Sequence, residues 1–309
     1  MDRNLRIKLN SYHLGRELAT FEFLKHPHLN ALSNPKSKMV SDVPVFELKN
    51  VSKQFGRFQS LSDINLKIWS GDRVALVGSS GAGKSTLISL LNGTILPTSG
   101  EVRVLDRNLA YLRPKALRRV QRQIGTIYQQ FHLVDNLRVI HNVNAGHLSR
   151  WSFFKAAASL IWPLEVETAA NALAQVGIPE KLYDRTDNLS GGQQQRVAIA
   201  RVLVQNPTAI LADEPISSLD PERSREIMDL LRRLSQESGK TLVTSLHAIE
   251  FARSHYQRII GLRQGRIVFD TSAEALSDAM IAALYKINDE VDQVSGETGG
   301  QSRQSEKAH

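Results

Sequence analysis

No cysteine occurs anywhere in the 309 residues, so disulfides and cysteine-based zinc sites are excluded, and a reducing compartment is compatible. Also missing is any run of the roughly 18 to 20 apolar residues that a membrane-spanning helix needs. The nearest stretch, FFKAAASLIWPLEV (Phe153 to Val166), is short and carries Lys155 and Pro163. The N-terminus MDRNLRIKLNSYHLGREL has no apolar core followed by a small-residue cleavage site, so no secretory signal is expected and the chain should stay soluble inside the cell. There is no internal repeat. What is present is an ordinary globular mixture, 41% hydrophobic and 23% charged, with a net charge of +8 from 39 basic and 31 acidic residues. A basic balance is compatible with nucleic acid, an anionic membrane surface or phosphate-rich ligands, and by itself does not choose among them.

Residues 1–43 lack strong periodicity and read as a weakly structured extension, with Met39 as an alternative start. Residues 288–309 read as a disordered polar tail, Gly/Ser-rich from Ser295 onward. Between them, at 44–287, short apolar runs such as RVALVG, IGTIY, AILAD and TLVTSL read as strands and interleave with helical stretches such as KSTLISLLNG and PERSREIMDLLRRLSQESG. That alternation predicts an α/β core. From about Phe131 to Asn188 the strand signals stop and EVETAANALAQVG has helical spacing, which predicts a helical insertion, placed at about 131–192. The run Arg113 to Gln123 reads most simply as a solvated basic helix face, the sharper alternative being contact with anionic lipid or a partner.

The stretch GSSGAGKST, Gly78 to Thr86, fits the pattern G-x-x-x-x-G-K-[ST], after a strand and before a helix. Small residues there (Gly78, Ser79, Ser80, Gly81, Ala82, Gly83) let backbone N–H groups close around phosphates at a helix N-terminus. Lys84 would reach the β- and γ-phosphates, Ser85 would ligate Mg²⁺ and Thr86 would contact the α/β-phosphates. The partner motif is AILADEP, with Asp213 placed to hold Mg²⁺ and Glu214 the candidate base that polarises the attacking water. A strand-end Asp-Glu pair that merely accepts loop hydrogen bonds is the bland reading, and its coupling to the lysine loop weighs against it.

The run LSGGQQQRVAIARVLVQNPTAILADEPISSLDP resembles the ATP-binding subunits of ABC transporters, and the likeness covers about residues 45–285. The resemblance implies a P-loop NTPase with a RecA-like core, an antiparallel β subdomain and an inserted α-helical subdomain, using ATP and Mg²⁺. It implies that Ser190, Gly191, Gly192 and Gln193 begin a helix that closes over the γ-phosphate held by a second copy packed head to tail. It further implies that Gln129, in preference to Gln130, touches Mg²⁺ and senses the membrane subunit, and that Asp220 of SSLD crosses the dimer interface. His247 would be the switch histidine that contacts the γ-phosphate, and Phe55 would stack on adenine where a tyrosine is common.

GHLSRWSFF, IMDLLRRL, RIIGLRQGRIVFD and the SLHAIE run, which lacks the usual Asp after the histidine, are similar to the branch that imports phosphonates into bacteria. That branch implies integral permease subunits, a periplasmic binding protein reached through them, no nucleic acid, and a peripheral position on the cytoplasmic face of the inner membrane. Phosphite, phosphate or another small oxyanion stays open as cargo. So do, as other classes, a soluble non-transport ABC ATPase, a P-loop kinase and a nucleotide-binding regulatory module.

Overall fold

In the computed structural model, residues 43–162 and 164–285 are described; the extension and the tail read from the sequence lie outside them, save for Val43. The described residues open with the antiparallel hairpin β1 (Phe46–Phe55) and β2 (Phe58–Ile68), followed by β3 (Arg73–Val77) and α1 (Lys84–Leu91). Then come β4 (Ser99–Val104), the two-residue β5 (Arg107–Asn108), α2 (Pro114–Gln121) and β6 (Ile124–Ile127). Four helices follow: α3 (Val139–Asn144), α4 (Phe153–Ile161), α5 (Val166–Gln175) and α6 (Gly191–Gln205). The rest alternates as β7 (Ala209–Asp213), α7 (Pro221–Ser238), β8 (Thr241–Leu246), α8 (Ile249–His255), β9 (Arg258–Arg263), β10 (Arg266–Ser272) and α9 (Asp278–Tyr285).

Two sheets result. One has the order β2-β1-β4-β5 and is antiparallel throughout; the other has the order β10-β9-β3-β8-β7-β6. In the second, the five strands from β9 to β6 are parallel and only β10 runs against its neighbour. Parallel strands must be covered on both faces, and the residues of β3 show how. Val74 and Leu76 point into one apolar cluster with Leu87, Leu90 and Leu91 of α1, whereas Ala75 and Val77 point into another. This second cluster holds Ile227, Met228, Leu231 and Leu234 of α7. β7 divides in the same way, Ala209 and Leu211 on the first face and Ile210 and Ala212 on the second. The period of two thus sorts one short strand between two cores.

The α/β core, the antiparallel subdomain and the helical insertion expected from the sequence are all present. Between β6 and β7 the described residues contain no strand, only an isolated bridge between Arg138 and Arg185. The insertion is not cleanly bounded at residue 192, because α6 begins there and runs on beneath the core sheet. Val197, Ile199 and Val202 on α6 are buried in the same cluster as α7. Among the described residues no helix is long and apolar enough to cross a membrane.

Candidate functional site

β3, β8 and β7 lie side by side, with Val77 level with Leu246 and Asp213 level with Ser245. Their C-terminal ends therefore deliver residues 78–86, His247 and the Asp213–Glu214 pair to one edge of the sheet, the place where open α/β sheets bind ligands.

The loop after β3 is shaped by close approach. A Cβ on Gly78 would lie 2.2 Å from the Leu262 carbonyl oxygen, so no side chain fits. Gly83, at φ +103°, lies so near Ser60 and Leu61 that a Cβ would come within 2.8 Å of the Ser60 carbonyl oxygen. Ala82 accepts the Gly265 N–H at 3.1 Å and Thr86 Oγ1 lies 2.8 Å from Ser60 Oγ, while Ser79, Ser80, Gly81 and Ser85 stay exposed. Lys84 is the buried charge of the loop. Its ammonium donates to the carbonyls of Gly78 and Ser79 at 3.0 and 3.1 Å and stands 3.6 Å from Glu214 Oε1. Burial pulls its pKa below the ordinary lysine range, and Glu214 opposes that.

The carboxylates are placed by hydroxyls. Asp213 Oδ1 accepts from Ser85 Oγ at 3.1 Å and from the fully buried Ser245 Oγ at 2.7 Å. Ser245 Oγ in turn accepts the Glu214 N–H at 2.8 Å. Glu214 takes a left-handed conformation, φ 47°, which turns its side chain back over the edge. There its Oε1 lies 2.6 Å from Nε2 of His247, which must donate because an ionised carboxylate only accepts. The Tyr285 hydroxyl donates to the His247 carbonyl at 3.2 Å, and Ser217 Oγ donates to the Glu214 carbonyl at 3.1 Å. Ser245 and Tyr285 are the residues sequence reasoning did not single out. The only sign of Ser245 was its place two residues before the histidine in SLH.

As a cradle for Mg²⁺, this edge offers hard oxygen donors, Ser85 Oγ and Asp213 Oδ1, side by side. Among the described residues no group of three or more His, Cys, Asp or Glu side chains is placed to hold a metal. A pair of oxygens that leaves the remaining positions to phosphate and water suits Mg²⁺ better than a metal caged by protein.

The remaining predicted residues stand further out. Gln129 and Gln130 are exposed just after β6, whose Ile127 pairs with Ala212 of β7, so Gln129 lies one strand over from Glu214. Phe55 ends β1, 47% exposed as a residue, and the Lys53 ammonium lies 4.9 Å from its ring centre. Ser190 caps α6 by accepting the Gln193 N–H, and the Gln193 side chain returns to the Ser190 N–H at 3.0 Å, a capping box. A Cβ on Gly191 would meet nothing within 4 Å, and one on Gly192 only Arg223 Cδ at 3.5 Å. Asp220 caps α7 by accepting the Arg223 N–H at 3.0 Å, and that bond holds its carboxyl below the usual range. Among the described residues no hydrogen bond or ion pair joins Ser190–Gln193 or Asp220 to the phosphate loop. The structure therefore assembles Lys84, Ser85, Asp213, Glu214 and His247 at one edge and gives the helix start at Ser190–Gln193 no bond to them.

Comparison with known proteins gives the family. The ABC transporter family model matches residues 61–217. The chain is 44% identical to the phosphonates import ATP-binding protein PhnC of Bacillus cereus over 242 residues, 78% of this chain and 94% of that one. It is 42% identical to the PhnC of Lactobacillus delbrueckii subsp. bulgaricus over 247 residues, 80% of this chain and 96% of that one. Among solved structures it is similar to a dimeric ATP-binding cassette in a post-hydrolysis state with ADP and Pi. There the identity is 34% and the TM-score 0.63, with 75% of this chain and 100% of that chain covered. It is also similar to cbiO1 of Clostridium perfringens, part of an ABC transporter complex, at 27% identity and TM-score 0.66, over 81% of this chain and 97% of that chain.

Proposed function

The chain belongs to the ATP-binding and ATP-hydrolysing subunits of ABC transporters, and from that membership we propose that it powers the uptake of phosphonates through a membrane permease. The observation that carries the cargo is the match to phosphonates import proteins of several bacteria along nearly their whole length. The subunit uses ATP with Mg²⁺ and works as a dimer.

In this reading the backbone of Gly78–Gly83 wraps the phosphates of ATP, Phe55 offers its ring to adenine and Thr86 contacts the α/β-phosphates. Lys84 exchanges Glu214 for the β- and γ-phosphates, because a multiply charged phosphate outcompetes one carboxylate for a buried ammonium. Glu214 Oε1, freed from Lys84, is left to His247 and to the attacking water, whose proton it draws. His247 keeps that carboxylate oriented and lies beside the γ-phosphate. Ser85, Asp213 and Gln129 would hold Mg²⁺, which supplies neutralisation of charge on the phosphate oxygens when bound. The second anion site, Ser190–Gln193, serves the ATP held by another copy. The open space at Gly191 supports this, since nothing in its own chain requires a glycine there. Asp220 sits on the same interface.

The permease docks beside Gln129. At the other end of β6 from that residue, α2 and the turn before α4 border a cleft of about 680 Å³ lined by Lys115, Arg118, Arg119 and Arg122 with Leu148 and Trp151, and by no carboxylate, which offers the permease a second hold. Beyond it Phe153, Phe154 and Trp162 are at least 70% exposed. A basic cleft rimmed by aromatic side chains suits an amphipathic acidic segment of a membrane protein. Held in this way, the subunit lies on the cytoplasmic face of the inner membrane, with a periplasmic binding protein delivering cargo from the other side.

The test is uptake by the complete transporter reconstituted with its permease. Labelled phosphonate should accumulate in an ATP-dependent manner, with phosphite and phosphate as weak competitors. Uptake of phosphate or phosphite in preference would reassign the cargo, and failure of the subunit to co-purify with any integral membrane protein would end the importer reading.

A further inference from the structure

Arg201 lies eleven residues beyond Ser190 on α6, about 16 Å along the helix axis. Its guanidinium has no acidic partner among the described residues. Instead Nη2 donates to the Phe131 carbonyl and Nη1 to the His132 carbonyl, each at 2.7 Å. These carbonyls belong to the turn directly after Gln129 and Gln130. Both Phe131 and His132 are left-handed, φ 57° and 49°, a conformation that residues with a Cβ avoid unless something holds them in it. Burial pulls the Arg201 pKa below its ordinary range, and the two carbonyl bonds are what hold the charge there.

Arg201 is not the only grip of this helix on β6. Gln205 Nε2 donates to the carbonyls of Arg122 and Ile124 at 3.0 Å each, at the other end of the strand. A Cβ on Gly125 would lie 2.6 Å from Val202 Cγ1, so helix and strand are in direct contact between the two grips. The last turns of α6 are thereby fixed to β6 and to the turn that follows it. The first turn carries Ser190.

We propose that Arg201 is a positioning residue that makes the loop bearing Gln129 and the helix bearing Ser190 move as one body. Gln129 then reaches the Ser85–Asp213 pair in step with the docking of Ser190 on the second copy. The inference rests on the roles given above to Gln129 and Ser190. It depends on the planar fork of the guanidinium, whose rigid spacing sets two N–H groups on two successive carbonyls; a lysine keeps the charge and loses that fixed geometry.

The experiment is a double-mutant cycle on the full chain, following kcat and KM for ATP together with thermal stability. Arg201→Met and Gln129→Ala should each lower kcat tenfold or more with KM for ATP within twofold of wild type. The double variant should be no slower than the slower single variant. If the two losses multiply, or if KM rises while thermal stability falls in Arg201→Met, Arg201 serves stability alone and the inference is overturned. Arg201→Lys repeats the cycle should Arg201→Met not fold, and its kcat is expected well below wild type. A wild-type rate in Arg201→Lys would equally overturn the role of the fork. A Gln129→Ala variant with normal kcat would remove the reading of Gln129 and the inference with it, a result distinct from a slow Gln129→Ala in a multiplicative cycle.

Discussion

Nε2 of His247 and Oε1 of Glu214 stand 2.6 Å apart, and that same carboxylate oxygen is 3.6 Å from the Lys84 ammonium. One oxygen thus serves two donors. The lysine belongs to the phosphate loop and the histidine to the adjacent strand end, so anything that draws Lys84 away changes the environment of Glu214 at once. A γ-phosphate would be such a competitor, and in the proposed reading the arrival of ATP releases Glu214 to act as the base.

Replacing Glu214 by Gln keeps the shape and removes the charge. ATP binding should persist, since Lys84 keeps the Gly78 and Ser79 carbonyls and gains the phosphate without a rival. Hydrolysis should fall by about 10²–10⁴, the usual worth of a general base. A stable ATP-bound dimer should then appear by size-exclusion chromatography. Hydrolysis at the wild-type rate would show that the base lies elsewhere.

Ser245→Ala removes one hydroxyl that serves two partners. Asp213 Oδ1 would keep only Ser85, and the Glu214 N–H would lose its acceptor inside a buried strand end. An orphaned buried donor costs about 1–3 kcal/mol, which should be visible in denaturant titration. The Mg²⁺ concentration needed for half-maximal hydrolysis should rise as well. A variant as stable as wild type with unchanged Mg²⁺ dependence would show that Asp213 and Glu214 hold their places without Ser245.

Gly78→Ala should be damaging out of proportion to its single methyl group. The added carbon meets a backbone oxygen of β9, which cannot swing aside like a side chain. Overpacking of this kind costs about 1–3 kcal/mol, and the shifted loop should lose ATP. Nucleotide binding by fluorescence titration, read beside thermal stability, checks both. Intact ATP affinity would mean that the loop tolerates a displacement its contacts do not suggest.

The phosphate loop could be read from the sequence because its work is local: the chain need only turn tightly between a strand and a helix. The strands β3, β7 and β8 were equally plain, being short apolar runs buried on both faces. The hairpin of β9 and β10 was noticed only as part of a family likeness, since β10 at the sheet edge mixes exposed and half-buried residues and gives a weak periodic signal. Arg201 could not have been found at all. Its partners lie 69 and 70 residues away, and nothing in QQRVAIARVL marks which arginine faces inward. Ser245 was concealed by its surroundings, a polar residue in a strand whose other members are buried too. What a sequence records poorly is the meeting of distant segments, and this edge of the sheet is made of such meetings.

Gly191 gives the sharpest separation between what one copy needs and what two copies need. In its own chain an added Cβ meets nothing within 4 Å, and its backbone is not left-handed. Gly191→Leu should therefore fold normally, with stability changed by no more than about 1 kcal/mol, in the favourable direction if helix propensity decides. The capping box made by Ser190 and Gln193 uses no atom of the new side chain and should survive. ATP should still bind at Lys84. Turnover and ATP-dependent dimerisation should both collapse, because a leucine would stand where the second copy must bring its phosphate against the backbone N–H groups of α6. Measured side by side, unchanged melting and unchanged nucleotide affinity with lost hydrolysis would assign Gly191 to the interface. Full hydrolysis by Gly191→Leu would mean that nothing docks on this helix start, and the division of the site between two copies would fall.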